Sequence, residues 1–93
     1  MKAQLTRAAD SIAANIVEGC GAATNREFAR FLDISIKSAN ETEQHLLSAR
    51  DLALVSPHDW QKHTAETIEI RKMIYGYRKR VLQGATKSDQ SHD

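Results

Sequence analysis

The chain has 93 residues, 41% of them hydrophobic and 27% charged, with a net charge of +1 and one cysteine. This is the composition of a single globular domain and excludes a disordered chain; one cysteine excludes an intrachain disulfide and fits a reducing cytoplasm. No apolar run approaches the roughly 18 residues of a membrane span, and Gln4, Thr6, Arg7 and Asp10 interrupt any signal-peptide core behind Met1-Lys2.

The spacing predicts three helices, at about 3–18, 25–54 and 57–83. In the first, Leu5, Ala8, Ala9, Ile12 and Ile16 step by threes and fours. Gly19 and Gly21 are expected to stop it, because glycine takes the left-handed cap conformation cheaply. Cys20 to Ala23 reads as a loop. The second helix opens on a capping box, with Thr24 as cap and Glu27 three residues on. Phe28, Leu32, Ser35, Ala39, Thr42, Leu46, Ala49 and Ala53 then keep a strict four-three spacing, the seam of a bundle helix. Phe31, Ile34, Ile36, Leu47 and Leu52 widen that surface, so this helix is expected to be central or to meet a second partner.

Ser56-Pro57 begins the third helix, since proline's missing N–H costs nothing in the first turn. Asp59 places a favourable charge there. The stripe His63, Thr67, Ile70, Ile74, Tyr77, Val81 continues to Gly84, with Trp60 and Met73 flanking it. Gly76, inside this helix, costs roughly 1 kcal/mol relative to alanine, which points to close packing at that position. Residues 1–84 read as one helical bundle domain and 85–93 as a disordered polar tail. No strand pattern is present. The fold class is all-α: an antiparallel helical bundle.

Three stretches carry a family resemblance. Ser11-Ile12-Ala13-Ala14-Asn15-Ile16-Val17-Glu18-Gly19 is similar to an S-I-x-x-N-I-x-E-G segment. Glu27-Phe28-Ala29-Arg30-Phe31-Leu32-Asp33-Ile34, with Ser38 beyond, is similar to E-F-x-R-F-L-x-I-A-x-G-S. Glu41, Glu43 and Leu46 resemble an E-L-E-T-Q-L stretch. Together, over about residues 4–82, the chain resembles the four-helix bundle proteins encoded in 23S rRNA intervening sequences (S23 ribosomal-protein-like). The resemblance implies an up-and-down four-helix bundle, of which this chain resembles the last three helices and lacks the first. It also implies a homo-oligomer, a pentamer in members or close relatives, and packing roles for Ser11, Asn15, Glu18, Gly19, Phe31, Ser38 and Glu41. Lys37 stands where the family has a glycine before Ser38.

The charge pattern offers one candidate binding face. In residues 69–82 five cations, Arg71, Lys72, Arg78, Lys79 and Arg80, stand against Glu69 alone. Arg71 and Arg78, like Lys72 and Lys79, are seven apart and share a face, with Tyr75 between them. A basic face carrying an aromatic suits phosphate contacts to rRNA or another structured RNA; a solvated face favouring the helix C-terminus is the plainer explanation. Arg26, Arg30 and Lys37 form a sparser second row, interrupted by Asp33. Asn15 is expected to satisfy a partner across the bundle, and Glu18 to cap a helix or pair with an arginine.

Nothing points to catalysis. His45, His58, His63 and His92 do not form the paired Glu-x-x-His of carboxylate-bridged bundles, although Asp59 and His63 share a face, so no metal or cofactor is expected. Cys20 has no histidine partner in sequence. There is no phosphate loop or nucleophile elbow and no small-molecule substrate is implied. The expected function is that of a non-catalytic bundle protein of the intervening-sequence type, binding structured RNA through the last helix. The alternative is an oligomeric scaffold or protein adaptor without nucleic-acid activity. In either case an apolar strip covered by another chain is expected, with Phe31, Ile36 and Trp60 as its candidates.

Overall fold

The computed structural model describes residues 2–84; the tail expected at 85–93, with His92, lies outside the described residues. The three helices are α1 (Lys2–Cys20), α2 (Asn25–Asp51) and α3 (Pro57–Leu82). Both outer helices pack along α2 and scarcely touch each other. The result is a shallow trough, about 20 × 12 Å in cross-section, with α2 as its floor. The all-α bundle and the central place of the second helix follow the sequence pattern.

α1 departs from expectation at its end. The helix runs through Gly19, and neither Gly19 nor Gly21 has a positive φ. Gly19 is needed for a different reason. A Cβ there would lie 2.7 and 2.9 Å from the Phe28 ring and 3.1 Å from the Phe31 Cβ, so the glycine lets α1 and α2 converge. The helix closes one residue later through Gly21 N–H to Glu18 C=O (3.1 Å) and Ala22 N–H to Gly19 C=O (3.0 Å). Cys20 is therefore the last residue of α1, and it is exposed.

Thr24 caps α2, its hydroxyl accepting the Glu27 N–H at 3.1 Å. Along the helix Leu32, Ser35, Ala39, Thr42, Leu46 and Ala49 are buried at four-three spacing, and Ala29, Ile36 and Ser38 are buried beside them. This double set lets α2 take a helix on each flank. α2 ends at Asp51, earlier than the apolar pattern implies. Ala53 adopts φ 58°, Leu54 N–H reaches Ala49 C=O at 2.8 Å, and Ala53 N–H reaches Arg50 C=O at 3.0 Å. That is a Schellman closure with alanine where glycine is usual. Ala53, expected in the seam, is exposed.

Ser56 caps α3 by accepting the Asp59 N–H at 3.1 Å, with Pro57 in the first turn, and Gly84 follows the helix at φ 71°. Only half of the expected α3 stripe is covered. Thr67, Ile74 and Val81, seven apart, are buried, whereas Ile70 and Tyr77, the alternate positions, are 41% and 38% exposed. One cluster joins the three helices: Ile12 from α1, Ala29, Leu32, Ile36 and Ala39 from α2, and Ile74 and Val81 from α3. Phe28 packs against it and meets Tyr77 edge-on, with centroids 5.4 Å apart.

Candidate functional site

The dominant surface feature is the open side of the trough. Two recesses run along it end to end. The lower one, about 480 Å³, is lined by Leu5, Ala9, Asp10 and Ala13 of α1 and by Glu66 and Ile70 of α3, among others. The upper one, about 470 Å³, is lined by Ile16, Leu32, Ile70, Met73, Gly76, Tyr77 and Arg80. Met73 is 68% exposed here. The trough's charges are polar end to end, with Asp10 and Glu66 at one end and Arg80 at the other.

The residues expected to form an apolar strip are not the ones that do. Ile36 is buried, and Phe31 and Trp60 are half-buried. Arg50 lies over the Trp60 ring at 4.5 Å. Among the described residues, the Trp60 indole N–H and the Thr64 hydroxyl are shut off from solvent and meet no hydrogen-bond partner. Gly76 is not closely packed either: beyond its own helix backbone and adjacent residues, no atom of the described residues lies within 4 Å of where its Cβ would be. The signal missed in the sequence was Met73, which sits one turn from Ile70 and Tyr77 and turns a flank into a second seam.

The basic face of α3 is divided by the fold. Arg71 donates to the Asn40 carboxamide at 2.8 Å and pairs with Glu43. Arg78 pairs with Asp33. Both arginines thus tie α3 to α2, and much of their charge is answered. Lys72, Tyr75 and Lys79 remain exposed, and among the described residues neither lysine has an ion pair. Arg80 lies over the Tyr77 ring at 5.5 Å. Arg30 and Lys37 stand one turn to either side of Asp33, so the two basic rows of the sequence meet along one α2–α3 seam. Arg26 is exposed at the start of that row.

The motif residues collect where α1 crosses α2. Ser38 hydroxyl meets Ser11 hydroxyl at 2.8 Å, and Ser35 hydroxyl donates to Ile12 C=O at 2.9 Å. Among the described residues, Asn15 bonds within its own helix rather than across the bundle. Its carboxamide donates to Ser11 C=O (2.8 Å) and to the Ser11 hydroxyl (3.0 Å), one turn back. Asn15 thereby fixes the serine that makes the crossing. Ser11, Ser38, Glu41 and His45 line a polar recess of about 330 Å³ with Gln4, Ala8 and Arg7. Glu18 is exposed and, among the described residues, its carboxylate has no ion pair.

The histidines are dispersed. His63 bonds Glu66 at 3.0 Å rather than approaching Asp59, and no group of three potential metal ligands occurs among the described residues. No helix among them is long and apolar enough to cross a membrane. No curated protein and no solved structure shows significant similarity to the chain. The model of the family described as 23S rRNA-intervening sequence protein matches residues 1–76, and, with three helices of the expected order, the chain belongs to that family.

Proposed function

We propose that this member of the family is a non-catalytic assembly module, and that the trough between α1 and α3 is its working surface. The observation that carries this reading is the exposure of Ile70, Met73 and Tyr77 in one continuous groove over the core. Leaving such side chains in water forgoes about 25 cal/mol per Å² of burial, and a chain of this length has little core to spare. Another chain covering the groove recovers that energy, so the protein works as a homo-oligomer. Met73→Glu tests this. A carboxylate on the open groove is harmless to a lone chain but must be desolvated in an assembly. The expected result is a lower average mass by light scattering with unchanged helix content by circular dichroism. An unchanged mass refutes the reading.

A second reading, contact with structured RNA, is supported by the exposed ridge Lys72–Tyr75–Lys79 beside Arg30 and Lys37. Such contact is phosphate-driven and salt-sensitive. Filter retention of a structured rRNA fragment at low salt, reduced by Lys72→Glu/Lys79→Glu, supports it. No retention, or retention indifferent to that charge reversal, refutes it.

A further inference from the structure

The polar recess at the crossing of α1 and α2, about 330 Å³, is lined by Gln4, Arg7 and Ser11 of α1 and by Ser38, Glu41 and His45 of α2, among others. None of these residues lines the trough. Its volume lies at the small end of the range for ligand pockets. Exposure orders the recess in depth. Ser38 is 4% exposed, Ser11 and His45 are half-buried, and Gln4, Arg7 and Glu41 are exposed. The two serines therefore form its base, and the two charged side chains form its rim.

The hydrogen bonds at the base give the two walls opposite characters. A serine hydroxyl has one proton to donate and two lone pairs to accept with. Ser11 Oγ accepts from the Ser38 hydroxyl at 2.8 Å and from the Asn15 carboxamide at 3.0 Å, so both of its lone pairs are engaged. Its own proton meets no acceptor among the described residues. Ser38 Oγ, whose proton points to Ser11, keeps its lone pairs open. The α1 wall thus presents donors, the Ser11 hydroxyl and the Arg7 guanidinium one turn before it. The α2 wall presents acceptors, the Ser38 oxygen and the Glu41 carboxylate one turn beyond. Arg7 and Glu41 carry the fixed charges of the lining. Among the described residues they pair neither with each other nor with another side chain. Lys37, one turn before Glu41, and Asp10, three residues past Arg7, stand outside the lining.

A lone anion in this recess meets the Glu41 carboxylate, and a lone cation meets the Arg7 guanidinium. A ligand that carries both charges satisfies both walls. Its carboxylate takes the forked donors of Arg7 and the Ser11 proton, and its ammonium takes the Glu41 carboxylate and the Ser38 oxygen. An α-amino acid holds these two groups on one carbon, which suits so small a recess, and Gln4 and His45 leave the side-chain end polar. We propose that the recess is a binding site for a free polar α-amino acid, its carboxylate toward α1 and its ammonium toward α2. The site shares no lining residue with the trough, so it stands apart from the assembly reading. Because Ser11 and Ser38 also join α1 to α2, a ligand bridging the walls stabilises the crossing by mass action.

Isothermal titration calorimetry of the full chain with L-serine, L-asparagine and L-glutamine tests this site. Saturable binding of at least one of them is expected, with a Kd on the order of 1 mM because the rim is open to solvent. The tightest of the three is then compared with its α-amide, which lacks the carboxylate, and with its N-acetyl form, which lacks the ammonium. Each derivative is expected to bind about tenfold more weakly. Arg7→Gln is expected to erase the preference over the α-amide, and Glu41→Gln the preference over the N-acetyl form. Both residues are exposed, so helix content by circular dichroism is expected to stay unchanged in each variant. Binding of none of the three amino acids overturns the proposal. So do equal affinities for the parent and its derivatives, or preferences that both variants leave intact.

Discussion

Gly19→Ala is the sharpest test of how α1 meets α2. The new Cβ would stand 2.7 and 2.9 Å from Cδ1 and Cε1 of Phe28 and 3.1 Å from Cβ of Phe31. In an open helix this substitution gains about 1 kcal/mol. Here overpacking opposes it at about 1–3 kcal/mol. The Phe28 ring can swing away, but doing so breaks its edge-on contact with Tyr77, worth about 0.5–1.5 kcal/mol. The Phe31 Cβ is fixed to the backbone and can move only with the helix. Clash and lost ring contact together outweigh the helical gain, leaving a net loss of about 0.5–3.5 kcal/mol, at about 4–8 °C of melting temperature per kcal/mol for a domain of this size. The assay is a thermal melt followed by circular dichroism, with Gly21→Ala as control, since a Cβ at Gly21 meets only the Glu18 carbonyl at an ordinary 3.6 Å. The double variant Gly19→Ala/Phe28→Leu is expected to lose less than the sum of its parts, because the smaller side chain vacates the clash. A Gly19→Ala protein melting at or above the parent temperature refutes the close-approach argument.

Four further outcomes follow from the geometry. Ala53→Gly relieves the left-handed residue of the α2 closure and is expected to raise stability by about 0.5–1 kcal/mol in a urea titration. Ser35→Ala removes the buried donor to Ile12 C=O and is expected to cost about 1 kcal/mol in the same titration. Thr64→Val replaces a buried, unpartnered hydroxyl with a methyl of like shape, so its urea midpoint is expected to be unchanged or higher. A double-mutant cycle on Asp33 and Arg78 is expected to return at most about 1 kcal/mol of coupling that shrinks with added salt, because both groups are partly exposed.

The fold was largely legible in the sequence because its determinants are local. Four-three spacing named the buried face of α2 almost residue by residue, and Thr24 and Ser56 marked helix starts through bonds that span only three residues. Ends were harder. The α2 apolar pattern continues to Leu54, yet the helix stops at Asp51 because Ala53 turns left-handed, a choice no periodicity records. Gly19 signalled a special position, but whether a glycine ends a helix or admits a neighbour depends on Phe28, nine residues on. The surface was least legible. Ile70 and Tyr77 share one stripe with Ile74 and Val81, and only the separation of α1 from α3 reveals that half of that stripe is open. Likewise Arg71 and Arg78 read as free cations until α2 supplies Glu43 and Asp33.

A trough that is a surface for a second chain makes the protein self-associate. Sedimentation equilibrium of the wild-type protein across a wide concentration range tests it most directly. The expected result is a mass that rises with concentration well above the 10.4 kDa of one chain. A mass that stays at 10.4 kDa throughout would contradict it.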